Sequence, residues 1–244
     1  MQVSISPGMW LPVLRSQPPG DMSVAITIDD APMPDSLPGM LDSLDEFGAK
    51  ATFFMSGCRI VHAEELVQET VRRGHAVYAH GWDHVRLDKE KPDRLIVDFD
   101  RCENILAKYR PTPQPYLVRM PYNGGYRKIS VHRSVRKWMP NSQIAHWRLS
   151  TEDHLISPRC SSAGDIEGLC RAEARRVVSS PRIHGAIILM HDQPINDRKN
   201  GDLKAMVTVT LLKELLTELH ASGLVADVLH PHPSQRLMDR FVLF

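Results

Sequence analysis

Two adjacent aspartates, Asp29 and Asp30, end a β-branched apolar run at residues 24–28. Carboxylates at a strand's end suit metal-assisted hydrolysis, because neighbouring side chains diverge there and one can bind a cation while the other moves a proton. The alternative is that one of them caps the turn before Pro32, as short carboxylate side chains do by accepting backbone N–H groups. Four later segments favour chemistry. His80-Gly81-Trp82-Asp83-His84, Arg119-Met120-Pro121-Tyr122, residues 147–153 and Leu189-Met190-His191 each close or follow another strand-like run.

His80 and His84 share a face if the residues between them make a helical turn, and two neutral imidazoles suit a zinc-like ion. With 12 histidines in the chain, that spacing alone is weak, and the position directly after a strand is what discriminates. Asp30, His80 and His84 together supply three N/O ligands and leave an open position, as catalytic zinc requires. Asp29, off the metal, is then free to accept a proton from the attacking water. Arg119 near Asp29 would keep that carboxylate ionised and fixed in direction; a surface arginine is the alternative. Pro121 restrains the backbone entering Tyr122, whose main-chain N–H can help hold an oxyanion, unless Tyr122 only packs. His191 suits protonation of a departing amine if a carboxylate raises its pKa and orients it. Asp153 is the candidate partner, and Asp192 is read as a loop residue. Trp147 and Leu189 offer an apolar wall for a small acyl group, or belong to the core.

Strand-like runs near 24–28, 51–55, 75–80, 116–120, 143–147, 186–191 and 224–229 alternate with helical stretches near 37–48, 60–73, 92–109, 127–138, 165–179 and 204–222. Gly48, Gly74 and Gly223 each follow a helical pattern and precede a strand, the place of the glycine that commonly ends a helix in a left-handed conformation. Helical crossovers imply a parallel sheet, and about seven such strands can close into a distorted or incomplete (β/α) barrel of α/β class. An open doubly wound sheet is the alternative. Residues 1–22, rich in Pro, Gly and Ser, read as an irregular lead-in, and 23–244 as a single catalytic domain.

The 244 residues are 42% hydrophobic and 24% charged, with 30 basic against 29 acidic residues and a net charge of +1. Such a balance gives no general electrostatic case for nucleic acid or an anionic membrane. No G-x-G-x-x-G or Walker-type loop follows the first strand, which removes the usual sequence grounds for a nucleotide cofactor. Cys58, Cys102, Cys160 and Cys170 form no C-x-x-C pair; Cys160 and Cys170 could bridge a loop, with reduced thiols the default expectation. The start lacks both a basic segment and an apolar stretch, and no later run is long enough to span a bilayer, so a cytoplasmic enzyme is expected.

In order, these segments resemble the polysaccharide deacetylase family, the NodB-homology or carbohydrate esterase family 4 enzymes. The family's T-F-D-D-G appears as Thr27-Ile28-Asp29-Asp30-Ala31, its H-[ST]-x-x-H as His80 to His84, its arginine motif as Arg119 to Tyr122, and its L-x-H as Leu189 to His191. The resemblance implies a distorted (β/α) barrel and hydrolysis of N-acetyl, or O-acetyl, groups on an amino-sugar or oligosaccharide by attack of metal-bound water. It makes Asp29 the base, His191 the acid, and Asp30, His80 and His84 the ligands of a divalent metal, Zn2+ first, with Co2+, Ni2+ or Mn2+ as alternatives. Arg119 then steadies Asp29, Tyr122 gives an oxyanion donor and Asp153 tunes His191. The fourth motif, D-x-x-D-W in many members, reads Ser150-Thr151-Glu152-Asp153-His154, Ala31 replaces a glycine, and Gly81 replaces Ser or Thr. Two rivals share the sequence: a hydrolase of non-sugar linear or cyclic amides, and a carbohydrate-binding protein without turnover.

Overall fold

The alternating runs fold as a β/α succession in the computed structural model, which describes residues 10–195 and 201–233. In chain order the elements are β1 (Val13–Leu14), β2 (Val24–Asp29), α1 (Leu37–Glu46), β3 (Thr52–Met55), α2 (Gly57–Ile60), α3 (Glu64–Arg72), β4 (Ala76–Ala79), α4 (Pro92–Leu106), β5 (Leu117–Val118), α5 (Ile129–Trp138), β6 (Gln143–Ala145), β7 (Leu149–Ser150), α6 (Ile166–Val178), β8 (Ile187–His191), α7 (Gly201–Ala221) and β9 (Ala226–Asp227). Every pairing between these strands is parallel. Six strands form one sheet, β4-β3-β2-β8-β7 with β9 added against β2, and three form another, β1-β6-β5. The division into two sheets makes the barrel a distorted one.

β2 is fully buried along its length, as are β3 and most of β8. Both faces of a parallel sheet are covered, so such strands read as continuous apolar runs rather than alternating ones. Each fully buried Ile, Leu or Phe here is worth roughly 1.5–3 kcal/mol. β3 pairs with Thr27 to Asp29 of β2 and β9 with Val24 and Ala25, while β8 runs along residues 25–29.

Three helix ends follow the glycine expectation. Gly48, Gly74 and Gly223 have φ of 60°, 82° and 68°, and the next residue's N–H reaches back to a carbonyl five positions earlier: Ala49 to Leu44, His75 to Thr70, Leu224 to Leu219. This is the Schellman arrangement, which satisfies carbonyls the helix leaves open.

Nine strands form among the described residues against about seven expected. Within the lead-in, Val13 and Leu14 pair with Ile144 and Ala145, and Ser16 bridges Ala186. The expected strand at 143–147 ends early, as β6 of the small sheet at Ala145, and Leu149 and Ser150 form a further strand that pairs with β8 in the large one. The expected helix at 60–73 starts later, as α3 at Glu64, with the short α2 ending at Ile60. All four cysteines are free thiols. Among the described residues no helix is long and apolar enough to cross a membrane.

Candidate functional site

The parallel register sets the site's first dimension. Asp29, last in β2, is the direct partner of His191, last in β8, and adjacent strands lie about 4.8 Å apart. Thr27 and Leu189, two residues earlier on each strand, are likewise partners and share the faces of Asp29 and His191 by strand alternation.

Arg119, 1% exposed, enters just beyond β5. Its Nη1 donates to Asp29 Oδ1 at 2.9 Å and to Thr27 Oγ1 at 2.7 Å. Its Nε and Nη2 donate to the carbonyls of Ala145 and His146, each at 3.1 Å, and the guanidinium lies 4.4 Å from the centre of the Phe54 ring. Burial lowers the Arg119 pKa, against the opposing charge and hydrogen bond of Asp29. The guanidinium is thus held on several sides and presents one edge to Asp29.

Asp30, His80 and His84 are buried together, their ligand atoms all within 4.8 Å of one another. His84 Nε2 lies 3.0 Å and His80 Nε2 3.7 Å from Asp30 Oδ1. His80 Nδ1 sits 3.0 Å from the Arg119 carbonyl. A carbonyl only accepts, so in the neutral ring Nδ1 carries the proton and Nε2 turns a lone pair toward the carboxylates. Burial holds His80 below its usual pKa in spite of Asp29 and Asp30, which favours that neutral form. Asp30 Oδ1 is buried with no well-formed hydrogen bond. Lone pairs facing one another in a buried pocket repel unless a cation lies among them, so these residues fit a divalent metal. Burial works to raise the Asp30 pKa, but His84 and His191 hold it well below the carboxylate range.

His191 is oriented twice by Asp153: its backbone N–H donates to Oδ2 at 2.6 Å and its Nδ1–H to Oδ1 at 2.9 Å. Burial opposes the imidazolium, but the charge and hydrogen bond of Asp153, aided by Asp30 and Asp29, push the His191 pKa up to about 10. Asp153 itself is buried, which raises its pKa, yet His191 and His154 hold it well below the usual range. The Tyr122 ring lies 4.7 Å from His84 and is 45% exposed, so it borders the ligands and faces solvent. Trp147 is half-buried, stacked on His146 at 4.4 Å and 5.6 Å from the Arg119 guanidinium. Leu189 is 6% exposed. The structure thus places Asp29, Asp30, His80, His84, Arg119, Tyr122, Asp153 and His191 at or just beyond the C-terminal ends of strands, with Leu189 two residues inside β8.

The substitution at Gly81 has a local cause. Its φ is 79°, and a Cβ there would lie 2.6 Å from Asp98 Oδ1. That oxygen accepts the Trp82 N–H at 2.6 Å, and the Asp83 N–H also reaches the carboxylate. Asp98 from α4 thus shapes the turn between the two histidines from the space a side chain at 81 would need. Sequence reasoning missed Asp98, although its place beside Leu95, Phe99 and Cys102 on the buried face of α4 is a signal. It also missed Arg59, whose partners are all backbone carbonyls.

A sequence model described as polysaccharide deacetylase matches residues 16–137. A peptidoglycan-N-acetylglucosamine deacetylase of Bacillus cereus is 28% identical over 206 residues, covering 84% of this chain and 85% of that protein. A chitooligosaccharide deacetylase of a Bradyrhizobium species is 27% identical, covering 88% and 90%. The structure of the peptidoglycan deacetylase PdaC from Bacillus subtilis superposes with a TM-score of 0.65 at 24% identity, over 91% of this chain and 92% of that one, a likeness of fold.

Proposed function

Because the chain belongs to the polysaccharide deacetylase family, we propose that it hydrolyses the N-acetyl group of an amino-sugar oligosaccharide, releasing acetate and a free amine. The observation that carries this reading is the pairing of Asp29 with His191 across adjacent strands, beside the Asp30, His80 and His84 cluster. The relatives named above act on N-acetylglucosamine in peptidoglycan and on chitooligosaccharides, and substrates of that chemistry are the first to test.

Asp30, His80 and His84 would hold the divalent metal, whose role when bound is to polarise the acyl carbonyl and lower the pKa of water. Two imidazoles and a carboxylate suit zinc, with cobalt, nickel or manganese as alternatives. Asp29 accepts the proton of the attacking water, its carboxylate aimed by Arg119. The Tyr122 N–H meets the oxyanion that forms on the acyl carbon. His191, kept charged by Asp153, delivers a proton to the departing nitrogen as the C–N bond breaks. Trp147 and Leu189 border the acyl methyl.

The test is acetate release from N-acetylglucosamine oligomers and from acetylated xylan, by metal-loaded protein, chelated protein and Asp29→Asn. Release from the oligomers that chelation abolishes supports the reading; release from xylan alone moves it to O-acetyl esters. No release by well-folded, metal-loaded protein rejects it and favours a non-sugar amide.

A further inference from the structure

Arg59 lies on α2, one short segment after β3, and belongs to none of the motifs. Its Nη1 donates to the carbonyls of Asp30 at 2.8 Å and Asp192 at 2.6 Å, and its Nη2 to that of Gln193 at 2.6 Å. These carbonyls sit on two separate loops, one leaving β2 with Asp29 and Asp30, the other leaving β8 with His191. A guanidinium offers its donors in a rigid planar fork, and charge makes each bond stronger than a neutral one.

Side chains of the second loop complete the junction. Asp192 Oδ2 accepts the Met33 N–H at 2.8 Å and Oδ1 accepts the Ser36 hydroxyl, while the Asp192 N–H donates to the Asp29 carbonyl at 2.8 Å. Gln193 Nε2 donates to Asp35 Oδ1 at 3.0 Å and to Ser36 Oγ at 2.8 Å. Asp30 and Gln193 have φ of 71° and 55°, conformations a non-glycine residue keeps only where its surroundings enforce them. Arg59 holds the carbonyls of both.

We propose that Arg59 is a positioning residue: by bridging the carbonyls of Asp30, Asp192 and Gln193 it sets the carboxylate of Asp30 against His80 and His84, and locks the base's loop to the acid's. The assignment rests on the deacetylase reading for what the geometry serves. Without Arg59, Asp30 is free to leave its left-handed conformation, so cation affinity and turnover fall. Groups on the open side of the site are untouched, so KM holds. A role in folding alone predicts a lower melting temperature with unchanged cation affinity and kcat.

The experiment compares full-length wild type, Arg59→Ala and Arg59→Lys. It measures calorimetric Zn2+ titration of the metal-free proteins, thermal melts, and kcat and KM for acetate release with and without dilute guanidinium chloride. The expected result for Arg59→Ala is Zn2+ affinity lowered about tenfold or more, the size seen when groups that orient ligands are removed. Its kcat should fall with KM nearly constant, and guanidinium should restore part of it. Lysine keeps the charge but has one nitrogen for three carbonyls, so it should fall between, and it carries the comparison if the alanine variant does not fold. Folded variants with wild-type Zn2+ affinity and kcat overturn the proposal. A wild type that releases no acetate defeats the deacetylase reading instead, and leaves the Zn2+ comparison to decide the role of Arg59.

Discussion

At the N-terminal ends of the strands the left-handed turns are made by glycine: Gly20, Gly48, Gly74, Gly185 and Gly223 all have positive φ. At the C-terminal ends the same conformation is carried by Asp30, His84, Tyr122, Asn123, Glu152 and Gln193 as well as by Gly81 and Gly125. A non-glycine residue there costs on the order of 1–2 kcal/mol. One end of the barrel thus turns its chain cheaply, while the other holds strained residues that include two of the three proposed metal ligands. The strained end is also where buried charge collects, with Asp29, Asp30, Arg119, Asp153 and Asp192 all 5% exposed or less. Strain survives where neighbours over-determine a conformation, and here the neighbours are identifiable: Arg59 grips the Asp30 and Gln193 carbonyls, and Asp98 grips the turn leading to His84.

The largest test of this contrast removes charge at the strained end without changing shape. Asp29→Asn should lower kcat by about 10²–10⁴-fold, the span expected for a positioned base, with Zn2+ affinity and melting temperature near wild type. Activity within tenfold of wild type would remove Asp29 from the chemistry. Next in size is Asp153→Asn. With His191 raised to about 10, its proton is retained through neutral pH and the alkaline limb of the rate profile lies above neutral pH. Loss of the Asp153 charge lowers the His191 pKa, so the limb should move to lower pH, with kcat down about tenfold or more. The wild-type stability gained from the raised pKa is complete below the ordinary histidine value of 6.5 and fades as pH rises through about 10, a dependence the variant should lose in pH-resolved melts.

Two alanine substitutions set the ends against each other. Gly48→Ala places a Cβ in open space and should cost about 1 kcal/mol from its φ alone, leaving activity intact. Gly81→Ala adds a collision with Asp98 to a similar φ and should cost about 2–4 kcal/mol, with weaker Zn2+ binding. Equal losses in denaturant unfolding, with equal activity, would erase the distinction. The smallest effect is relief: Glu152→Gly, at an exposed position with φ of 45°, should raise stability by a few tenths to about 1 kcal/mol. A loss there would show that this turn stores no strain.

What the sequence made legible was the ends of apolar runs. Asp29, His80, Arg119 and His191 each stand at or next to the last residue of a strand-like segment, and the parallel rhythm sends those ends to one edge. The helix-ending glycines were legible for a similar reason, since a left-handed turn narrows the choice of residue. The break between β6 and β7 was not, because Trp147 continues the apolar pattern while pairing partners far away in sequence decide where each strand ends. Asp98 and Arg59 stayed hidden because they bind main-chain atoms, and a peptide N–H or C=O has no signature in the identity of its residue. Their roles also depend on φ at Gly81, Asp30 and Gln193, which only tertiary packing determines.

The pairing of Asp29 with His191 also ties the durability of the site to that of the whole molecule. β2 and β8 lie at the centre of the larger sheet, and amides in such strands open only when the protein unfolds globally, whereas loops open far more often. The spacing between the two proposed proton-handling groups should therefore be set by hydrogen bonds among the slowest to exchange. Heating, mild denaturant or excursions of the surrounding loops should blunt substrate capture well before they alter that spacing.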